Sequence, residues 1–178
     1  MVMENLKAKI KKRLREMVEI PRINNFDELY SILPNDLKNI IDKLKENPEN
    51  PEHHPEGTTY NHIKIIVNRL IKTGDIDLIL AGLFHDLGKL DTTEINPKTG
   101  LPSAHDHEKI STQYVEKYKD FIESLGANYD VVKFLVENHM RAKYINDMRK
   151  AKREKLMGEP NFDKLRIFHR ADRMREKF

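Results

Sequence analysis

The side chains in this sequence best suited to chemistry are imidazoles and carboxylates: His62, the adjacent pair His85-Asp86, His107, His139 and Asp172. Neutral imidazole and carboxylate together suit a divalent first-row cation. The 178 residues include no Cys, so thiolate ligands, disulfides and a sulfur nucleophile are excluded. Taken singly, a histidine on an apolar face is ordinarily a hydrogen-bonded core residue. An inward carboxylate is different, because desolvating it is costly unless it is paired or bound to a metal.

The elements that must position these groups are read from periodicity, which is helical almost throughout, with almost nothing at the strand period. A charged amphipathic helix is expected over residues 4–19, with Leu6, Ile10, Leu14, Met17 and Val18 as its stripe. A second is expected over 35–46, behind Pro34, followed by a Pro- and Gly-punctuated loop over 46–57. Residues 60–72 carry Ile63, Ile66, Val67, Leu70 and Ile71 on one side, with Gly74 as the stop. Asp75 then caps a helix from Ile76 to about His85. Beyond Gly88 a polar loop with Pro97, Gly100 and Pro102 leads to one long helix, Ser103 to Leu125, with Asp106 in a capping-box role and Gly126 as the stop. Further helices are expected over about 129–139, 144–157 and 162–176.

On these helices His62 borders Ile63 and Ile66, and His107 lies on the stripe of Ile110, Tyr114 and Tyr118. His139 shares a face with Val132 and Leu135, and Asp172 with Leu165, Phe168 and His169, whereas His105 points away. Several helices each turning one His or Asp toward a single interior have a common explanation in metal binding.

The run Phe84-His85-Asp86-Leu87-Gly88-Lys89, after a helix holding His62 and before Ala171-Asp172-Arg173, resembles the HD superfamily of metal-dependent phosphohydrolases over about residues 54–175. The resemblance implies an all-α HD-type helical bundle in which His62, His85, Asp86 and Asp172 are the metal ligands. Three stretches sharpen it: Asn50 to Gly57, Ala104 to Ser111, and Glu137-Asn138-His139-Met140. They look like the C-terminal HD domain of bacterial tRNA nucleotidyltransferases, domains that act as phosphodiesterases or phosphatases on nucleotides. The expected organisation is an N-terminal helical segment, 1–50, and an HD phosphohydrolase domain, 51–178. A nucleotidyltransferase head has no room here, so a free-standing relative is expected.

One ion on the four ligands leaves positions open for water and a phosphate oxygen, and such a water is acidified, to a pKa of about 7 in the best zinc cases. His107 and His139 could take a second ion with Asp86 bridging, since superfamily members with two metals carry extra histidines in this region. Otherwise they would support the ligands or contact phosphate. The donor set admits Mn, Fe, Co, Ni, Zn or Mg. Asp86 and Lys89 are the expected catalytic residues, with Lys89 placing its ammonium against the substrate phosphate. Arg173 would orient Asp172 or touch phosphate, and His54, in a loop near the mouth beside His53, would face substrate. His169 is expected to pack or to support a ligand.

The expected reaction is hydrolysis of a phosphomonoester or phosphodiester on a nucleotide, a 2′,3′-cyclic nucleotide or an RNA end. Two alternatives remain: hydrolysis of a nucleoside triphosphate or alarmone, and a non-catalytic metal- or nucleotide-binding module. The net charge of +3 is modest, with its positive excess after about residue 140. The run Arg149 to Lys155 is either an RNA contact or a solvated helix face. No apolar run approaches the roughly eighteen residues that cross a bilayer, and the N-terminus has no signal-peptide core, so a soluble cytoplasmic protein without a membrane partner is expected.

Overall fold

The computed structural model describes residues 22–173 and Phe178. The helix expected over 4–19 lies outside them, as does most of the stretch after Arg173.

Two short helices, α1 (Phe26–Ser31) and α2 (Asn35–Lys43), lead into α3 (Thr59–Ile71) and α4 (Ile76–Phe84). A four-residue helix, α5 (Lys89–Thr92), runs into a hairpin of β1 (Thr93–Ile95) and β2 (Pro102–Ala104). Then come α6 (His107–Lys117), α7 (Lys119–Ser124), α8 (Tyr129–Lys143), a 3-10 turn (Ile145–Asp147), α9 (Lys150–Met157) and α10 (Phe162–Asp172). The architecture is all-α, with one antiparallel hairpin in the register Thr93–Ala104, Glu94–Ser103, Ile95–Pro102.

The sequence of α4, IDLILAGLF, explains its place. Every residue from Asp77 to Phe84 is buried, and a helix apolar on all sides belongs at the centre of a bundle. The Asp75 side chain accepts from the N–H groups of Asp77 and Leu78, as a cap should. The one charge within it, Asp77, is tied down twice: by the backbone N–H of Asn128 at 2.7 Å and by the Lys164 ammonium at 2.7 Å. These bonds fix α4 against the starts of α8 and α10. At the other end of α10, Arg69 of α3 donates to the carbonyls of Ala171 and Arg173, at 2.8 and 3.0 Å, and so sets the position of Asp172 between them. The helices α1 and α2 feed the same core through Phe26, Leu29, Leu37 and Ile41. The α9 helix buries only Leu156.

Four expectations are corrected. The single helix over Ser103–Leu125 is β2, then α6 and α7, broken at Tyr118. The stripe Tyr118, Phe121, Ile122, Leu125 runs on in phase across the break, so periodicity hides it. Strands of three residues are too short to show alternation. Asp106 stands at the N-cap position of α6, but with φ 56 and no side-chain capping bond to the backbone of the helix. Its carboxylate instead pairs with Lys109 at 2.9 Å. Lastly, the helix expected to end near 139 continues to Lys143, and the basic one over 144–157 divides at Met148.

The turn after α4 passes under α6. The Gly88 N–H donates to Ser111 Oγ at 2.9 Å, and a β-carbon at Gly88 would collide with the His107 carbonyl and the Ser111 nitrogen. Backbone on both sides leaves little room to relax. Gly88→Ala is therefore expected to destabilise the fold by about 2 kcal/mol or more, measured by urea unfolding. An unchanged midpoint would show that the two segments separate easily.

Candidate metal centre

His62 lies in the first turn of α3, His85 at the C-terminal end of α4, Asp86 in the turn that follows, His107 at the first residue of α6, His139 in the last turns of α8, and Asp172 at the end of α10. The fold brings all six together. The first five are no more than 4% exposed, and the Asp172 side chain is mostly buried.

Two groups form around the two oxygens of Asp86. On one side, His62 Nε2 lies 2.9 Å from Asp172 Oδ1 and 3.3 Å from His85 Nε2, and Asp86 Oδ2 lies 3.3 Å from His85 Nε2 and 3.6 Å from His62 Nε2. On the other, Asp86 Oδ1 lies 3.1 Å from His107 Nε2 and 3.7 Å from His139 Nε2, which are 3.2 Å apart. Each group could hold a metal ion.

The far side of each ring decides which nitrogen faces inward. His85, His107 and His139 turn Nδ1 onto the backbone carbonyl three residues earlier, Gly82, Ala104 and Val136, at 2.9, 3.1 and 2.6 Å. A carbonyl only accepts, so each Nδ1 carries a proton, and it is Nε2 that faces the interior, with a lone pair there whenever the ring is neutral. His62 Nδ1 meets the Glu56 carboxylate at 2.6 Å, with the same result. Two lone pairs 3.2–3.3 Å apart repel unless a cation or a proton lies between them. The donor set therefore fits a divalent ion.

The ionisation follows from this crowding. Burial opposes the charged imidazole of His85, yet Asp86 and Asp172 outweigh it and push the pKa up to about 10. Burial likewise opposes charged His62, and Asp172 and Glu56 raise it. Asp86 and Asp172 lie well below the usual carboxylate range despite burial, Asp86 through His85 and Lys89, Asp172 through His62 and His85. Glu56 is held down to about 2 by His54 and His62 against the cost of burial. His139 is lowered, chiefly by burial.

Lys89 has partners that the sequence did not reveal: its ammonium is buried between Glu49 Oε1 at 2.8 Å and Asp86 Oδ2 at 2.9 Å, on the lining of the cleft. A desolvated ammonium needs both partners. Glu49 in turn accepts from Thr59 Oγ1 at 2.8 Å. His54 lines the cleft above the cluster, as do the exposed His53 and His105, and its Nδ1 is held by Glu56 at 2.9 Å. Arg173 is exposed and does not line that cleft, so contact with a phosphate there does not follow from its position beside Asp172.

Sequence reasoning missed Glu49 and Glu56. Both lie in the 46–57 loop, where no periodicity tells an inward carboxylate from a solvated one. The available signal was that this loop runs directly into the helix bearing His62.

Comparison with known proteins places this geometry. The HD domain family profile matches residues 53–176. Over 161 residues the chain is 25% identical to the Multifunctional CCA protein of Halorhodospira halophila, covering 90% of this chain and 35% of that protein. Over 100 residues it is 30% identical to the Multifunctional CCA protein of Aromatoleum aromaticum, covering 56% of this chain and 24% of that one. The chain thus spans about a third or less of the length of these relatives.

Two outcomes are expected. With a pKa near 10, His85 is protonated at neutral pH in chelator-treated protein, and an ion at Nε2 must displace that proton. Loading should release protons, and affinity should rise with pH. Calorimetry in buffers of differing ionisation enthalpy reads this, and a zero proton count at pH 7.5 contradicts it. Separately, Glu56→Ala removes the acceptor that fixes His62, and should weaken ion binding roughly ten- to hundred-fold, with Glu56→Gln recovering part of the loss.

Proposed function

Because this chain belongs to the HD domain family, we propose that it is a divalent-metal-dependent phosphohydrolase that cleaves a phosphomonoester or phosphodiester of a nucleotide or an RNA end. One observation carries the reading: four imidazoles, each held at Nδ1 by an acceptor, turn Nε2 onto the two oxygens of one buried carboxylate. We assign His62, His85, Asp86 and Asp172 to one ion, and Asp86, His107 and His139 to a second. Such ions supply Lewis acidity, acidifying water and stabilising charge on phosphoryl oxygens.

The chain's own residues do the rest. Asp86 faces both groups and keeps them in register. Lys89 is a positioning residue that holds Asp86 ionised and in place. Glu56 keeps the Nδ1 protons on His62 and His54, so that His54 offers Nε2 toward the cleft. The buried α4 closes the floor of the cluster, which opens to the surface through the cleft. Likeness to the Multifunctional CCA proteins supports a substrate from nucleotide chemistry, and the exposed basic residues of α9 suit the backbone of an RNA end.

The test uses metal-analysed protein assayed against 2′,3′-cyclic nucleotides, 2′- and 5′-mononucleotides and an aryl phosphate. Turnover is expected, falling more than about a hundred-fold in folded Asp86→Asn, since loss of a ligand should exceed loss of its supporting partner. Turnover of none of these by metal-loaded protein removes the reading. With a nucleoside triphosphate and an alarmone added to the panel, turnover confined to these two, with release of pyrophosphate or triphosphate, would instead indicate a nucleoside triphosphate or alarmone hydrolase.

A further inference from the structure

The cleft above the cluster has a volume of about 260 Å³. Pockets that enclose a whole small-molecule ligand run from roughly 300 to 1,000 Å³. This one can take a phosphate and the sugar bonded to it, and the remainder of a nucleotide must project through the mouth.

The end of α8 forms one wall. His139, Met140, Lys143 and Tyr144 all line the cleft, a stripe at helical spacing that climbs from the metal cluster to the surface. From His139 to Tyr144 the rise is about 7.5 Å at 1.5 Å per residue, the span of a phosphate with its sugar. Tyr144 is 50% exposed there, one of few large apolar side chains left open among the described residues. The Lys143 ammonium lies 5.8 Å from the Tyr144 ring centre. A half-exposed ring with an ammonium over it, at the edge of a cleft that takes a phosphate and its sugar, is the pairing that binds a nucleobase and its backbone.

We propose that Tyr144 is the specificity-determining residue of this site: its ring stacks on the base of a nucleoside phosphate whose phosphate lies at the cluster. Lys143 meets the next backbone phosphate where the substrate has one. The proposal rests on the phosphohydrolase reading for its ligand class, and free nucleotides and RNA ends share the chemistry it requires.

Binding tests it without relying on turnover. Metal-loaded full-length protein is titrated calorimetrically with a nucleoside 5′-monophosphate and with ribose 5-phosphate, which has the same phosphate and sugar but no base. The base should add roughly ten- to hundred-fold in affinity. That advantage should vanish in Tyr144→Ala and persist in Tyr144→Phe, with ribose 5-phosphate bound equally by all three. In NMR the base protons should move upfield with wild type and Tyr144→Phe, and not with Tyr144→Ala. Equal affinity for the two ligands, an advantage that survives Tyr144→Ala, or binding of neither ligand overturns the proposal. Tyr144-dependent binding without turnover keeps the stack and removes the hydrolase reading. Turnover with no preference for the base does the reverse. A tetranucleotide with a terminal phosphate separates the sources: tighter, salt-sensitive, Tyr144-dependent binding identifies an RNA end, and binding equal to the mononucleotide identifies a free nucleotide.

Discussion

A carboxylate held at the centre of a helical bundle must be compensated on both oxygens, and most of this structure can be traced outward from how Asp86 is compensated. Burying a lone charge costs several kcal/mol, so its partners are close: Lys89 at 2.9 Å, with the imidazoles of His85 and His107 at 3.3 and 3.1 Å. Lys89 is itself buried and brings in Glu49. Glu49 brings in Thr59, and Thr59 is held by Asn47, which reaches on to Thr93 of the hairpin. The loop before α3 and the strand after α5 are thus bound to the His/Asp cluster by a continuous polar chain.

The histidines are oriented by a more local device. In His85, His107 and His139 the ring folds back onto the carbonyl three residues earlier, so each direction is set where its helix begins or ends. Only His62 depends on a separate segment, through Glu56. The scaffold then has to deliver helix ends to one place. The buried α4 does so from within, with Asp77 anchoring α8 and α10 at its start and the Gly88 turn pressing on α6 at its finish. Arg69, bonded to the last carbonyls of α10, places Asp172 opposite.

This division explains what the sequence could reveal. Helical phase alone turned His62, His107, His139 and Asp172 inward, because each lies on a regular helix whose apolar face is plain. The spacing around His85-Asp86 carried the family likeness. Glu49 and Glu56 were illegible because a Pro-rich loop has no phase, and Glu49 is a partner of Lys89 forty residues away in that loop. The break at Tyr118 was hidden because its ring stays in phase while its hydroxyl turns to Asp36 at 2.7 Å. The hairpin was hidden by brevity.

The balance of charge around the cluster bears on how a substrate can enter. Four carboxylates, Glu49, Glu56, Asp86 and Asp172, stand around the cluster, and the one buried ammonium among them, Lys89, pairs with Glu49 and Asp86. With neutral imidazoles the site is strongly negative, and a phosphate would be repelled from its floor. Protons on His62 and His85 reduce the deficit, but they occupy the Nε2 atoms that face the cleft and leave no open coordination position. A divalent ion reduces it by as much as two such protons do and keeps positions open for oxygen ligands. Two ions reverse the sign. On the phosphohydrolase reading, affinity for the phosphate and affinity for the metal would be coupled through one set of carboxylates, each raising the other by the same factor. A cluster built around so much buried negative charge would, on that reading, hold an anionic substrate only with cations in place.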